Sequence, residues 1–388
     1  MAPIWIAALL SLAAPATADP LSQVQELPKA ALLVMDGQRP SISYHPDMPL
    51  VPASTMKLLT AFAALETWGR DYRFETDFYL DGSDWLWVQG RADPYLVSEE
   101  LDAIARGLKA AGVRRVAGIG LDDSYFDRDV EIAGRSSSDN PYDAPVTALA
   151  ANFNTVSVIR SPSGVRSAEP QTPLTATARR FGESGGQGKQ RVNLQQRPIA
   201  VGYFGELLAA KLTAAGIAVG DGQRLGTLPR GAKRVYRHTN GRTLAAIVVP
   251  TLDYSNNFVA NALFLRLADP NGTGQVSMAA AQRAMTDFAR RHFHWSDFTI
   301  EDGAGLSRGN RLSARQLVDV VQAFAPYRDL MPVQDGNNAV RAKTGSLRGV
   351  SCYAGYVRRD GNWQPFALMI NQPVDYTLRM RVASALVR

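Results

Sequence analysis

Cysteine is nearly absent from the 388-residue chain, which contains only Cys352. One thiol cannot form an internal disulfide, so the core alone has to hold the fold together. Cys352 lies in the run Val-Ser-Cys-Tyr-Ala-Gly-Tyr-Val, a pattern typical of a packed strand. We therefore predict that its thiol packs in the core and takes no part in catalysis.

Long hydrophobic runs are absent after the first twenty residues, so no transmembrane helix is predicted there. Residues 1–18 are mostly small and apolar and end in Ala16-Thr17-Ala18, although they include no Lys or Arg. This pattern predicts a signal peptide, a mature chain that starts at Asp19, and a periplasmic location. An uncleaved anchor or a buried first helix is the alternative.

Runs of like charge are also missing, although the net charge is +6, because the arginines are scattered along the chain. No nucleic-acid surface is therefore predicted. A mild attraction to an anionic envelope polymer is compatible with this charge. The oligomeric state is left open.

Histidine is scarce, with four in the chain, and none has the spacing of a zinc ligand set. A zinc carboxypeptidase that uses His292 and His294 is disfavoured for that reason. The acidic run Asp122-Asp123-Ser124 has no His at zinc spacing, so it is interpreted as a turn. The sequence predicts no metal site and no cofactor.

The pattern of short strands, turns and helices predicts an α/β fold in which the two ends of the chain form one domain. Residues 19–70 and 241–388 are assigned to that domain, and residues 71–240 to an inserted β-rich domain. A loop is predicted at 182–188. The remaining predictions are strands at 30–35, 41–44, 76–80, 85–89, 339–357 and 366–370, and helices at 54–67, 244–252, 258–268 and 275–292.

Ser54 and Lys57 are the first candidate catalytic pair. Residues three apart share one face of a helix, so Ser54 Oγ and Lys57 Nζ can meet. Lysine can replace histidine as a base where burial lowers its pKa. Ser-x-x-Lys alone is a weak signal, but this helix is apolar nearly all round and should be buried.

Lys343-Thr344-Gly345 is the second element, in a strand-like stretch from Ala342 to Tyr353. A strand beside the nucleophile can offer an ammonium and a hydroxyl to a carboxylate, and a backbone N–H to an oxyanion. Glycine allows the substrate backbone to come close.

The third element is Ser-x-Asn, and three registers compete for it. Ser138-Asp139-Asn140 matches best by its letters but lies in a Ser-rich loop of the insertion. Tyr254-Ser255-Asn256 is a second register. We favour Ser255 with Asn257, because they lead directly into a helix that would fix their position.

The order Ser-x-x-Lys, Ser-x-Asn, Lys-Thr-Gly is the motif set of β-lactamases and penicillin-binding proteins. The long interval between Ser54 and Ser255 resembles the low-molecular-mass class C penicillin-binding proteins, the D-Ala-D-Ala carboxypeptidase/endopeptidase group of peptidase family S13. The insertion is short for that family, and Asn256 stands where Asp is usual. Further segments that resemble the family are 90–96, 122–127, 152–156, 301–308 and 342–350.

The resemblance implies a transpeptidase-like domain, an antiparallel sheet flanked by helices, with the insertion after the Ser-x-x-Lys helix. It implies an acyl-enzyme on Ser54, with Lys57 as base and Ser255 as proton relay to the leaving D-Ala. Asn257 would hold the substrate amide. The terminal carboxylate would be bound by Lys343 and Thr344, beside Gly345, and the oxyanion by the N–H groups of Ser54 and Ser346.

The partners implied are peptidoglycan stem peptides as substrates and β-lactam antibiotics as covalent inhibitors. A serine β-lactamase shares the three motifs, but no segment plainly supplies the carboxylate that activates the deacylating water. A non-catalytic wall-binding scaffold is the alternative of another class, and the intact motif residues argue against it. Asp302 and Arg308 are interpreted either as substrate contacts or as structural groups.

Overall fold

Strands from both ends of the chain meet in the largest sheet of this computed structural model, which describes residues 19–334 and 337–387. Its strand order is β13-β14-β15-β16-β1-β2, and every neighbouring pair is antiparallel. These strands are β1 (Ala30–Asp36), β2 (Arg39–Tyr44), β13 (Val333–Gln334), β14 (Asn337–Leu347), β15 (Val350–Arg359) and β16 (Asn362–Ile370). The predicted signal peptide lies outside the described residues.

Helices cover both faces of this sheet, because its central strands are apolar on both sides. Alternate residues of β1 divide between two cores: Ala31 and Leu33 face one, and Leu32 and Val34 face the other. The helices at these cores are α1 (Pro20–Gln25), α2 (Met56–Trp68), α6 (Leu244–Asp253), α7 (Asn257–Arg266), α8 (Met278–Phe293), α9 (Ala314–Ala323) and α10 (Leu378–Leu386). The helices α1 and α10 pack on one face, and the others lie on the active-site side.

A second core lies in the middle of the chain, around a mixed five-stranded sheet of order β11-β6-β4-β3-β12. A three-stranded sheet β8-β7-β9 and a two-stranded sheet β10-β5 accompany it. The strands are β3 (Glu75–Leu80), β4 (Trp85–Gln89), β5 (Arg115–Val116), β6 (Gly118–Asp122), β7 (Thr155–Ser161), β8 (Gly164–Ser167), β9 (Gly188–Asn193), β10 (Ala218–Val219), β11 (Gln223–Leu225) and β12 (Lys233–Thr239).

Helices in this middle region were not predicted, namely α3 (Ser98–Ala110), α4 (Ala176–Ser184) and α5 (Arg197–Ala214). The loop predicted at 182–188 is therefore wrong in part, because α4 continues to Ser184. Gly182, inside this helix, packs against the Val165 side chain. The predicted α/β class is confirmed. The exact domain boundaries stay a prediction. Among residues 19–334 and 337–387, no helix combines the length and the hydropathy that a membrane span requires.

Candidate active site

Ser54 lies in a 3-10 turn, Ala53–Thr55, that leads into α2. The α-helix was predicted to start at Ser54 and starts two residues later, at Met56. The backbone of Ala53 is left-handed, with φ of 47°. For a residue with a side chain this conformation costs about 1–2 kcal/mol, and such strain is common at functional sites. The turn thus holds Ser54 at the N-terminal end of a buried helix.

Lys57 lies one turn further on, is 1% exposed, and makes three hydrogen bonds through its amine. The Nζ atom is 2.9 Å from Ser54 Oγ, 2.7 Å from Asn257 Oδ1 and 2.8 Å from the Ala304 carbonyl oxygen. The contact between Ser54 and Lys57 that the spacing predicted is present in the structure. The two other partners come from distant parts of the chain.

The pKa of Lys57 is held well below its ordinary value, first by burial and then by the charge of Lys343, with Asp302 opposing. A neutral amine has two N–H donors and one lone pair. The oxygens of Asn257 and Ala304 can only accept, whereas the Ser54 hydroxyl can also donate. Neutral Lys57 therefore satisfies all three partners when its lone pair faces the Ser54 hydroxyl, the arrangement of a general base.

Asn257 is the first residue of α7, and a contact with the insertion fixes its orientation. Its Nδ2 donates to the Tyr142 carbonyl oxygen over 3.1 Å, so its Oδ1 faces Lys57. The neighbouring Asn256 caps the same helix by accepting from the Val259 N–H. The two asparagines thus have different tasks, and the Tyr142 carbonyl is a site group that side-chain patterns did not predict.

Ser255 precedes the cap of α7 in a left-handed conformation, with φ of 55°. Within the described part of the chain its hydroxyl has no hydrogen-bond partner. Asp253, two residues earlier, is close enough to Lys343 to oppose the lowering of that residue's pKa. The side chains of Asp253 and Lys343 therefore lie within range of each other's charge.

The rejected register, Ser138-Asp139-Asn140, belongs to the insertion loop that carries Tyr142. The Ser138 hydroxyl donates to the buried Asp143 carboxylate, and Asn140 Nδ2 donates to Ser138 Oγ over 2.9 Å. These side chains therefore shape the loop. The loop contacts the site through its backbone.

Asp302 is fully buried and organises the loop that supplies Ala304. Its carboxylate accepts from the N–H groups of Ala304, Leu306 and Ser307 and from Asn310 Nδ2. Asp302 is therefore a structural group, the second of its two interpretations. Arg308 is exposed, and its Nη2 donates to the Arg348 carbonyl oxygen over 2.5 Å.

Strand β14 brings Lys343, Thr344, Gly345 and Ser346 to the nucleophile. A Cβ on Gly345 would lie 2.8 Å from the Pro52 carbonyl oxygen and 3.1 Å from Ser54 N, so only glycine fits at this approach. Within the described residues, β13 pairs with β14 only at Arg341 and Asn337. The stretch from Lys343 to Ser346 therefore has an open edge to which an extended peptide can pair.

Lys343 is 2% exposed, and its Nζ donates to the Thr344 carbonyl oxygen over 2.8 Å. Burial and then the charge of Arg379 lower the pKa of Lys343 to about 8, with Asp253 opposing. A large fraction of Lys343 is therefore charged near neutral pH. One lysine of the site is set to be neutral and the other to be cationic, which suits a base beside an anion-binding group.

The other polar candidates are structural. Burial raises the pKa of the Cys352 thiol to about 12, and its Sγ contacts the Val51 carbonyl oxygen at 3.4 Å, as core packing predicts. Asp122 accepts from Ser124, and Asp123 pairs with Arg197, so the acidic run forms a turn. No cluster of three or more metal-ligating side chains occurs among residues 19–334 and 337–387.

A nucleophilic serine bonded to a buried lysine, with an asparagine turn and a Lys-Thr-Gly strand beside them, defines a penicillin-binding type of serine hydrolase. The model of the D-Ala-D-Ala carboxypeptidase 3 (S13) family matches residues 17–182, 195–336 and 328–388, and the chain belongs to that family. A D-alanyl-D-alanine carboxypeptidase of Actinomadura sp. (strain R39) is 27% identical in an alignment that covers 79% of this chain and 71% of the relative.

Solved structures share the fold. Penicillin-binding protein 4 of Haemophilus influenzae superposes with a TM-score of 0.76 at 19% identity, covering 94% of this chain and 98% of that chain. A predatory peptidoglycan endopeptidase of Bdellovibrio bacteriovorus superposes with a TM-score of 0.56 at 14% identity, covering 93% and 91%. The predicted transpeptidase-like fold is confirmed by these superpositions.

Replacing Gly345 by alanine should lower the rate of acylation by penicillin about a hundredfold, because the added methyl group meets backbone atoms and must displace the strand from Ser54. The measurement is the second-order rate of labelling by a fluorescent penicillin. Gly82→Ala is the matched control, since no heavy atom lies within 4 Å of that added methyl group. A wild-type rate for Gly345→Ala would contradict the close approach of strand and nucleophile.

The two lysines predict a bell-shaped pH profile of kcat/KM. Activity should rise as the pH increases through the lowered pKa of Lys57, because only the neutral amine accepts a proton. It should fall as the pH increases through about 8, where Lys343 loses its charge. Lys343→Arg keeps a cation and should move the descending limb upward. A limb that stays near pH 8 in that variant would assign it to another group.

Proposed function

We propose that this protein cleaves the terminal D-Ala from peptidoglycan stem peptides through an acyl-enzyme on Ser54. The observation that carries the proposal is the Lys57 amine, whose pKa burial lowers while two obligatory acceptors leave its lone pair for the Ser54 hydroxyl. A surface Ser-x-x-Lys pair would have neither property. Membership of the family supplies the class of substrate.

Acylation begins when Lys57 takes the Ser54 hydroxyl proton and Ser54 Oγ attacks the carbonyl carbon of the penultimate D-Ala. The backbone N–H groups of Ser54 and Ser346 stabilise the oxyanion. The tetrahedral intermediate then breaks its C–N bond, and Ser255 relays a proton to the departing D-Ala amine. Water hydrolyses the ester in a second cycle that uses the same groups in reverse.

The open edge of β14 binds the substrate end. The ammonium of Lys343 and the hydroxyl of Thr344 bind the terminal carboxylate of the substrate. Ser346 lies further along the same open edge of β14. Asn257 uses one Nδ2 hydrogen for the Tyr142 carbonyl oxygen, so the second hydrogen remains for a substrate amide oxygen.

Two broader features belong to the same proposal. Cross-linked stem peptides carry the same scissile amide, so endopeptidase activity follows from the same site. β-Lactams present a carboxylate next to a strained amide and should acylate Ser54. Export to the periplasm is supported by the signal-peptide pattern of the sequence, and peripheral envelope association by the positive net charge.

Ser54→Ala should abolish acylation, and Lys57→Ala should nearly abolish it with the fold intact, because serine is a weak nucleophile without a base. The measurement is intact mass after incubation with benzylpenicillin. Wild-type protein should form an adduct on Ser54 that lasts many minutes while it still turns over D-Ala-D-Ala peptides. Labelling of Ser54→Ala at the wild-type rate would contradict the mechanism, and penicillin destroyed within seconds without an adduct would indicate a β-lactamase.

Asn257→Ala should lower kcat/KM for a D-Ala-D-Ala peptide about a hundredfold, as does loss of an oriented polar contact in a buried site. Asn140→Ala is the matched control and should be nearly silent, because within the described residues the Asn140 side chain bonds Ser138 and no group of the site. Asn257→Asp keeps an acceptor for Lys57 but adds a charge that favours the ammonium, so the ascending pH limb should move upward. The opposite ranking of Asn140 and Asn257 would assign the motif to the insertion.

A further inference from the structure

Helix α10, near the end of the chain, places a buried arginine behind the substrate-binding strand. Arg379 is 4% exposed, and its Nη1 donates to the Gly345 carbonyl oxygen over 3.2 Å and to Ser346 Oγ over 2.7 Å. Its guanidinium lies 4.5 Å from the centroid of the Tyr376 ring. None of the three catalytic motifs includes this residue, and no helix was predicted in this part of the sequence.

The charge of Arg379 has no carboxylate partner within the described part of the chain. Other arginines do, such as Arg197 at 2.5 Å from Asp123 and Arg237 at 2.7 Å from Asp77. The Arg379 Nε is also buried without a hydrogen-bond partner. A buried cation without a counterion is costly. Since Lys343 is a second cation close by, this side of the strand is set to receive an anion.

One bond of Arg379 is made to the Gly345–Ser346 peptide, at the Gly345 carbonyl oxygen, and the other to the Ser346 hydroxyl. The Gly345 carbonyl and the Ser346 N–H belong to the same trans peptide and point in opposite directions. The bond to the carbonyl oxygen therefore fixes the orientation of that peptide beside the Ser346 side chain. Arginine has no acceptor atom, so Ser346 Oγ has to accept from it, and the Ser346 hydrogen is directed elsewhere. Ser346 is exposed on the open edge of β14, where that hydrogen can reach a ligand.

We propose that Arg379 is a positioning residue for ligands with a carboxylate beside the scissile amide. It holds the peptide between Gly345 and Ser346 and turns the Ser346 hydroxyl into a donor toward that carboxylate. Its positive charge completes the anion-binding edge that Lys343 begins. The inference rests on the proposed function, because it assigns that carboxylate to the edge of β14.

The test compares each ligand with its uncharged form. An acylated tripeptide ending in D-Ala-D-Ala is compared with its C-terminal amide, and benzylpenicillin with its methyl ester. Arg379→Gln should lower kcat/KM or the acylation rate about 30-fold for the free carboxylates, as loss of a charge-assisted contact does, and less than about 3-fold for the uncharged forms. Arg379→Lys keeps the charge without the guanidinium fork, so it should give a smaller loss of the same selectivity.

Arg381→Gln is the matched control on the same helix, since Arg381 pairs with Asp375 at 3.6 Å and, within the described residues, has no hydrogen bond to β14. Its selectivity should equal that of wild type. The melting temperature of each variant reports on folding, and if Arg379→Gln does not fold, the selectivity of Arg379→Lys decides the question. Equal losses for charged and uncharged ligands, or no loss for the charged ones, would overturn the role of Arg379. A wild-type protein that reacts with none of the four ligands would overturn the proposed function itself.

Discussion

The rest of the site depends on one constraint, the burial of the Lys57 amine without an adjacent counterion. A buried amine is most stable when it is neutral and when each of its hydrogens has an acceptor. Asn257 Oδ1 and the Ala304 carbonyl oxygen are those acceptors, at 2.7 and 2.8 Å. Only Ser54 remains for the lone pair. Burial of an unpaired lysine is unfavourable for stability, but here it favours the neutral amine, and the two acceptors direct its lone pair toward Ser54.

Each acceptor of that amine is itself held by a different part of the molecule. The buried Asp302 carboxylate gathers the backbone N–H groups of the loop that carries Ala304. The Tyr142 carbonyl, in the inserted region, sets which end of the Asn257 amide faces the lysine. Among the described residues, the hydrogen bond from Asn257 to this backbone oxygen is the one that joins the insertion to a candidate catalytic side chain. Changes within its loop can reach the base without any side chain of the insertion entering the site.

Much of the site could be predicted because helix and strand geometry act locally. Three-residue spacing on a helix brings Ser54 to Lys57, and a glycine between two polar strand residues signals the approach of β14. The Ala304 and Tyr142 carbonyls could not be predicted, since every residue has a carbonyl and only tertiary packing selects one. Arg379 was missed for a related reason: an arginine on a helix usually faces solvent, and its burial depends on how α10 packs on the sheet. The helices of the insertion were missed because glycine-rich and serine-rich turns around them dominated the pattern.

In the large sheet β1 pairs with β16, with Ala30 opposite Ile370. Strand β1, the first in the chain, therefore gains its neighbour on the edge opposite β2 only when β16, the last strand, has formed. Contacts between such distant residues form slowly, because a long loop must close first. The middle region has its own core and can become ordered earlier. Until the sheet closes, the Lys57 amine stays hydrated and protonated and cannot accept the Ser54 proton. An incompletely folded chain therefore has no activity on the peptides that the folded site would cleave.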